Sequence, residues 1–493
     1  MIYDLLKPRD DLDLILKKGQ LANKLKIIEL ELERFKRSTK RKEMISGDRY
    51  YRYKHDILDR KREVIGEGGA LQEVHNLPNN HVIDNQYELA VDKKVSYLLG
   101  KPVVYDTIDE DYAKALKDVL GRRFQRVLKS VGVDSLNSGL SWLYVYYDDT
   151  GALMFKKFNA YEVLPFWSDS EHSDLDMLVR MYEVEAYNDG RYEVIEKIEV
   201  YEVGGVEYYL MQNGKLVPDL DKKPSSYIVY EDNAGVEAYN WGRIPVIPFK
   251  YNDKEIPLIR KVKSLQDAIN LIMSDFQNNM EENAGNTIIV LKNYDGQDLG
   301  EFRKNLATYR AVKVRSEQGA SGGIDTLHVE VNAENYRSIL QTLKKALIEN
   351  AKSFDSKDDR MLGGSPNQMN IQSMYSDIDL DANNMETEYQ AAFEELLWFV
   401  NMHLANTGVG EFDAADVTVQ FDRDMLMNEG EIINNARQSM GVISHETVVK
   451  NHSWVTNAEE EMKRIDAELS QQMEIADAYG EPGAPVEHGA GGE

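Results

Sequence analysis

Between Asn85 and Leu98 apolar residues recur at three- and four-residue steps, Tyr87, Val91, Val95 and Leu98, behind an Asn85/Glu88 pair spaced as a helix cap. The spacing predicts a helix that stops at Gly100, a residue able to take the left-handed conformation, with Pro102 barring continuation. LANKLKIIELELERFKRS, nearer the start, has the same helical period, and EVIGEGGALQEVHNLPNNH breaks it with Gly, Pro and Asn. From Ser141 to Pro218 the period falls to two. SWLYVYYDDTGALMFKKFNAYEVLPFW and RYEVIEKIEVYEVGGVEYYLMQNGKLVP alternate Tyr, Val and Ile with polar residues around Asp-Thr-Gly and Asn-Gly turns, the pattern of antiparallel strands joined by hairpins. RIPVIPFKYN adds a strand whose prolines suit an edge or an irregular position.

Helical spacing returns in LIRKVKSLQDAINLIMSDFQNNMEENA, with Val262, Leu265, Ile269, Ile272 and Phe276 on one face, and again from Asn335 with Tyr336, Ile339, Leu343, Leu347 and Ile348. These two helices bracket an α/β insert, residues 287–331, of strand-like pieces, a short helix and a Gly/Ser turn. After the polar loop SFDSKDDRMLGGSPNQMN comes the longest periodic run: Ile371, Met374, Ile378, Ala382, Met385, Tyr389, Ala392 and Leu396. It predicts a helix about 45 Å long at a rise of about 1.5 Å per residue. Two further helices are expected, from Glu429 to Met440 and from Ser444 to Gln472, and YGEPGAPVEHGAGGE reads as a disordered tail.

Composition narrows the class. The 493 residues suggest three or four domains on a prior of about 150 each. Hydrophobic content of 42% with 29% charged residues is that of a soluble globular chain, and no apolar run approaches the roughly 20 residues of a membrane span. MIYDLLKPRDDLDLILKK is too charged for a secretory signal. The absence of cysteine excludes disulfides, thiolate metal sites and cysteine nucleophiles, and fits a reducing cytoplasm. Charge changes the picture most. The net value is −27, with 16 Lys/Arg against 7 Asp/Glu in residues 17–62 and 28 acidic against 7 basic residues from Phe354 onward. Tight DNA binding comes from cations that displace phosphate counterions, so any DNA-related function here must avoid holding DNA fast.

Candidate chemistry fails on spacing. Gly100-Lys101 lacks a phosphate loop's earlier glycine and following hydroxyl, because Val95 and Pro102 stand there. His445, Glu446 and His452 do not set two imidazoles one helical turn apart for zinc. GEGGA has no strand before it, and no G-x-S-x-G elbow occurs. Asp377, Asp379, Asp381 and Glu388 occupy positions 1, 3, 5 and 12 of a calcium loop, but Ala382 replaces the glycine of position 6 and the segment lies within the long helix. No set of nucleophile, base and oxyanion donors is visible, and neither a catalytic residue, a metal nor a cofactor is expected.

Six stretches in order carry a resemblance: YYRYKHDILDRK, LPNNHVIDNQYELAVDKKVSYLLGKPV, YEVLPFW, IPVIPFKYN, VKSLQDAINLIMSDFQNNMEENAGNTIIVL and RMLGGSPNQMNIQSMYSDIDLDANNMETEYQAAFEELL. The chain resembles the portal proteins of tailed bacteriophages, of the type found in long-tailed phages of Gram-positive bacteria, from Tyr50 to about Ala405. The resemblance implies an α+β, predominantly helical fold. Its parts are a wing of N-terminal helices and a β-rich region (1–255), stem helices (256–283 and 332–353), a small α/β clip (284–331), a tunnel loop (354–370), a long wing helix (371–405), a helical crown (406–475) and a disordered tail (476–493).

It also implies a dodecameric homo-oligomer, a ring at one vertex of the virion capsid. Double-stranded DNA would pass through it without sequence preference during packaging and ejection. Terminase, head-completion or adaptor proteins, the major capsid protein and scaffolding protein would be its partners, with no membrane, and assembly would take place in the host cytoplasm. On that likeness Asp355, Lys357, Asp358, Asp359 and Arg360 are channel residues of the tunnel loop. Lys263, Asp267, Asp275, Lys344 and Lys345 belong to the stem, and Tyr294, Arg303, Tyr309, Arg310, Lys313 and Arg315 to the partner-binding clip. An acidic channel would repel phosphates and keep contacts brief. No motif carries the likeness beyond Ala405. A minor capsid or scaffolding protein would share the acidity and helicity without closing a ring, and a packaging nuclease or ATPase would need the phosphate loop or metal cluster not found; both alternatives stay open here.

Overall fold

The computed structural model describes residues 24–65, 69–75, 77–188, 190–232, 235–285, 288–292, 323–327, 333–355, 368–423, 429–450, 452, 455 and 458–479. The chain forms two compact units, residues 1–354 with 377–424 and residues 355–376 with 425–493, where length alone suggested three or four.

In the first unit, helices α1 (Lys24–Arg37) and α2 (Thr39–Tyr51) meet at Ser38, whose hydroxyl caps α2 by accepting from the Arg41 amide. After the short strands β1 (Glu63–Ile65) and β2 (Leu71–Glu73) comes α3 (Gln86–Leu99). Asn85 caps it by accepting from the Glu88 amide, and Tyr87, Val91, Val95 and Leu98 are buried as the spacing predicts. The stop at Gly100 is right but its geometry is not left-handed: φ is −66° and ψ −40°, so Pro102 ends the helix without a left-handed cap. Strand β3 (Val104–Asp106), helices α4 (Glu110–Val119) and α5 (Arg122–Ser138), and strands β4 (Leu140–Tyr147) and β5 (Leu153–Phe158) follow. α2 and α5 cross so closely that a Cβ on Gly47 would lie 2.0 Å from the Asn137 carbonyl oxygen, a crossing only glycine permits.

The β-rich region is a five-stranded antiparallel sheet in the order β10-β9-β8-β7-β6. Its strands are β6 (Val163–Trp167), β7 (Leu175–Asn188), β8 (Arg191–Glu202), β9 (Gly205–Gln212) and β10 (Lys215–Pro218). Alternation decides what each face meets. Met177, Val179, Met181, Ile198 and Val200 pack on Ile28, Leu32 and Phe35 of α1. Leu178 and Tyr201 turn the other way, into a core with Trp142, Phe158 and Val246. The hairpin β11 (Ile228–Asp232) and β12 (Gly235–Tyr239) leads to β13 (Val246–Lys250), an edge strand of the sheet β13-β4-β5, in line with its prolines.

Helix α6 (Leu258–Gly285) and helix α7 (Ala333–Asn350) flank the antiparallel pair β14 (Ile288–Lys292) and β15 (Gly323–Leu327). Helix α8 (Gln368–Asn406) is the long predicted helix, and its Tyr389 and Phe393 meet Phe249 edge-on at 5.1 and 5.9 Å. Strand β16 (Thr418–Gln420) pairs with β3.

In the second unit, α10 (His445–Lys450) packs on α11 (Ala458–Tyr479), after α9 (Glu429–Ser439). The single helix expected from Ser444 to Gln472 is therefore two. Asn451, Ser453, Val455, Thr456 and Asn457 between them are cap-forming or β-branched residues that compete with helix. Residues 476–479, expected in the tail, close α11, and residues 480–493 lie outside the described residues. Among the described residues no helix is long and apolar enough to cross a membrane.

Candidate functional site

The apolar face expected on α6 is only partly the buried one. Val262 and Ile269 are buried, but Leu265, Ile272 and Phe276 are half-buried, and the inward stripe continues as Gln266, Asn270, Ser274 and Asn278, each no more than 1% exposed. Four polar side chains at every fourth position point at residues 80–87, the non-helical segment before α3 and the first turn of α3, which run antiparallel to the helix. The Asn80 amide donates to Asn278 Oδ1 at 2.8 Å, Val82 to Ser274 Oγ at 2.9 Å, Asp84 to Asn270 Oδ1 at 3.1 Å and Tyr87 to Gln266 Oε1 at 2.9 Å. Gln266 Nε2 returns a bond to the Asp84 carbonyl at 2.7 Å.

The match is geometric. Four helical residues advance about 6 Å, and two extended residues advance about 6.6 Å, so the alternate amides of Asn80, Val82 and Asp84 meet successive rungs of the helix, and the last rung, Gln266, takes the Tyr87 amide three residues on, in the first turn of α3. Behind the ladder, Asn270 Nδ2 donates to His55 Nδ1 at 2.8 Å, which leaves His55 Nε2 to donate to the Tyr50 carbonyl at 3.0 Å. Burial holds His55 below its usual value, in keeping with a neutral ring.

Charged residues fix the same helix from outside. Lys263 pairs with Asp267 at 2.7 Å and Asp56 at 2.6 Å and lies 5.0 Å from the Tyr50 ring centre, while the Tyr50 hydroxyl donates to Asp267. Burial works to lower the Lys263 ammonium, and the two carboxylates outweigh it and hold it above the usual lysine value. Asp275 pairs with Arg60 at 2.7 Å, and Lys344 of α7 pairs with Asp84 at 2.5 Å. Of the five expected stem residues, Lys263 and Asp267 thus meet each other, Asp275 and Lys344 meet Arg60 and Asp84, and Lys345 is exposed with no ion pair among the described residues. On α7 only Leu347 of the expected apolar side is buried, because among the described residues little of the same chain covers the remainder. Phe276 and Tyr336, ring centres 5.1 Å apart, join the two helices.

At its far end α7 closes with the Ser353 amide donating to the Ile348 carbonyl and Lys352 to that of Glu349, Lys352 taking a left-handed φ of 48°. Two lysines of α3 grip this turn. Lys94 donates to the Lys352 carbonyl at 3.0 Å and Lys93 to the Phe354 carbonyl at 2.8 Å. Lys94 is also in a buried ion pair with Asp381 at 2.6 Å, to which the Tyr251 hydroxyl donates at 2.6 Å. Burial pushes the Lys94 ammonium down to about 8. Burial works to raise the Asp381 carboxyl, and Lys94 and Tyr251 outweigh it and hold it below its usual value. Asp381, the fifth position of the calcium-loop decoy, is thus a structural anchor. Lys101 donates to the Arg423 carbonyl at 3.0 Å, a backbone contact.

Asp355 is exposed, just past this anchored turn. Lys357, Asp358, Asp359 and Arg360, and the clip residues Tyr294, Arg303, Tyr309, Arg310, Lys313 and Arg315, lie outside the described residues. The N-terminal basic stretch is largely spent inside the chain: Lys24 pairs with Glu202 and Glu207, Lys36 with Glu196, Lys40 with the buried Glu255, and Arg60 with Asp275. Sequence reasoning missed the ladder and the lysine anchor. The ladder had a signal, polar Gln, Asn, Ser and Asn at a strict four-residue step; the anchor had none, since its acceptors are two backbone carbonyls and an aspartate hundreds of residues away.

A family model described as phage portal protein, SPP1 Gp6-like, matches residues 35–474. The chain is 27% identical over 438 residues to the portal protein of Bacillus phage SPP1, covering 88% of this chain and 84% of that one. It is 24% identical over 453 residues to the portal protein of Clostridium phage phiCD119, covering 90% and 96%. Among solved structures, a chain of the virion of native gene transfer agent particle aligns at TM-score 0.37 and 11% identity, over 76% of this chain and 88% of that one. A chain of the neck of the same kind of particle aligns at 0.35 and 13%, over 75% and 89%.

Replacing Asn270 by Leu keeps its size but strands the Asp84 amide, one of the two Gln266 Nε2 hydrogens and His55 Nδ1. An unsatisfied buried polar group costs about 1–3 kcal/mol, so denaturant unfolding is expected to show a loss on the order of 3 kcal/mol. The exposed control Ser264→Ala on the same helix is expected to stay within about 0.5 kcal/mol. An Asn270→Leu chain as stable as the unaltered one would remove the ladder's structural role.

Proposed function

The chain belongs to the phage portal protein family, SPP1 Gp6-like, and on that footing we propose that twelve copies close into a ring around a channel for double-stranded DNA. The protein is a phage portal, located in the virion capsid, with capsid and head–tail components as its partners. The finer reading is that the ring occupies one vertex, assembles in the host cytoplasm with scaffolding and major capsid protein, and docks terminase during packaging and head-completion or adaptor proteins afterwards. The family is a structural one, and we assign this chain no catalysis of its own.

The observation that carries the ring is the pair α6 and α7. Each is tied to the wing or to its partner along one side and bears apolar side chains on another: Leu271 is 41%, Met280 50% and Ile339 49% exposed. Exposed apolar residues on a paired-helix element suit burial against the same element of a neighbouring copy. In this reading residues 1–255 are wing, α6 and α7 the stem, β14, β15 and the segment between them the clip, 354–370 the tunnel loop, α8 the helix crossing the wing, and 406–475 the crown. The clip strands offer edges for pairing with a neighbour. The net charge of −27 suits a channel wall that repels phosphate, and the tunnel loop, with Lys357 and Arg360 among Asp355, Asp358 and Asp359, supplies brief contacts independent of sequence.

Negative-stain electron microscopy of the purified chain is expected to show closed rings with a central hole; monomers or open sheets alone would overturn the reading. For the loop, alanine at Lys357 and Arg360 is expected to lower DNA retention in filled capsids, more at low salt than at high. Retention and packaging velocity unchanged at both salt levels would remove the loop contact.

A further inference from the structure

The β7–β8 hairpin outgrows its sheet. The two strands pair from Leu178↔Tyr201 to Asn188↔Arg191, but β6 accompanies β7 only to Arg180 and β9 accompanies β8 only from Lys197. From Glu183↔Glu196 outward six residue pairs form a two-stranded ribbon without a third strand. At about 3.4 Å per residue it extends about 20 Å. Its side chains do not suit bare solvent: Tyr187 is 69%, Tyr192 73% and Val194 63% exposed, the two tyrosine rings edge-on at 5.4 Å. Residues 183–196 carry five carboxylates and one cation, Arg191. A two-stranded ribbon is marginal by itself in water, and exposed apolar side chains on it mark a contact surface.

A surface of complementary chemistry lies on α4 and α5. Lys114, Lys117, Arg122, Arg123, Arg126 and Lys129 are all exposed and make no ion pair among the described residues, in contrast to the paired cations of α1. Arg122 and Arg123 also line a cavity of about 400 Å³ whose apolar walls are Val119, Phe124, Val127, Leu153, Met154 and Phe155. The chain's own arm does not fill it, since the arm's tyrosines stand exposed.

We propose that the β7–β8 arm of one copy docks on the α4–α5 surface of the next, its tyrosines in the apolar cavity and its glutamates among the six cations. The inference rests on the ring reading above and names one contact that would hold the ring. Two different, complementary surfaces on one chain are what a head-to-tail interface needs, and such an interface closes into a ring when the rotation permits. Charge favours a second copy as occupant: chains of net charge −27 repel one another unless they meet through opposite patches. Aromatic anchors in a pocket with a charged rim are the usual centre of such contacts.

The chain has no cysteine, so introduced thiols report without background. Full-length chains carrying Tyr192→Cys with Arg123→Cys, or Tyr192→Cys with Val127→Cys, are assembled, oxidised and run on a non-reducing gel. The expected result is a ladder of covalent multimers beyond the dimer in at least one pair, whereas each single variant stops at the dimer. Rings seen by microscopy with no such ladder in either pair would overturn the arm contact and leave the ring reading standing. A ladder from particles that are not rings would keep the contact and remove the ring. In a second arm of the test, Glu185→Lys with Glu193→Lys is expected to cut ring yield at least tenfold, and Arg122→Glu with Arg126→Glu to restore it; a loss without rescue counts against the pairing of charges.

Discussion

Backbone amides taken out of water must find partners, and in this protein that requirement sets how α6 meets the residues that lead into α3. The segment before α3 is not helical and the first-turn amide of Tyr87 has no partner within its helix, so α6 supplies these amides with Gln266, Asn270, Ser274 and Asn278. An apolar face would have buried comparable area but would tolerate sliding. A ladder of amide and hydroxyl groups does not, because a shift by one residue would leave buried donors and acceptors unmatched at a cost of about 1–3 kcal/mol each. Other contacts follow from this register. His55 is held neutral behind Asn270, Asn85 is placed to cap α3, and Asp84 comes within reach of Lys344 on α7.

Charge plays a second organising part. Basic α1 lies on an acidic sheet, and its lysines meet Glu196, Glu202 and Glu207. Among the described residues, the basic stretch near the start of the chain serves in large part as an internal fastening. Partly exposed pairs of this kind contribute little each, about 0–1 kcal/mol, but they place α1 over the apolar face that Ile28, Leu32 and Phe35 cover. The cations left over on α4 and α5 gain meaning by contrast. The buried Lys94–Asp381 pair differs again: it joins α3, α8 and the turn after α7, which ends at Phe354.

Much of the fold could be read along the chain where one face is apolar and the other is not. The cap and period of α3, the two-residue alternation of β8 and β9, and the long stripe of α8 all predicted their elements, and the family resemblance rested in part on the α3 and α8 segments. Reading failed where polar residues do the packing. Leu265, Ile272 and Phe276 drew attention on α6, while the fully buried stripe ran through Asn270 and Ser274, residue types that ordinarily signal solvent. It failed also where local preference broke a run, between Lys450 and Ala458. Site residues were the least legible: Lys263, Asp267, Asp275 and Lys344 were chosen for charge on the stem, and their partners, hundreds of residues away in some cases, are a property of the tertiary fold.

For a portal in which α6 and α7 serve as the proposed stem, the consequence would be a helix pair fixed in register by directional bonds, with its outer apolar residues left for neighbouring copies. Amide hydrogen exchange of the purified chain, resolved by residue, tests that claim most directly. The amides of Asn80, Val82, Asp84 and Tyr87 are expected to be as protected as those in the middle of α6 and to lose that protection together when Asn270 becomes Leu. Exchange of the Asn80, Val82 and Asp84 amides at exposed-loop rates, with α6 still protected, would contradict the account.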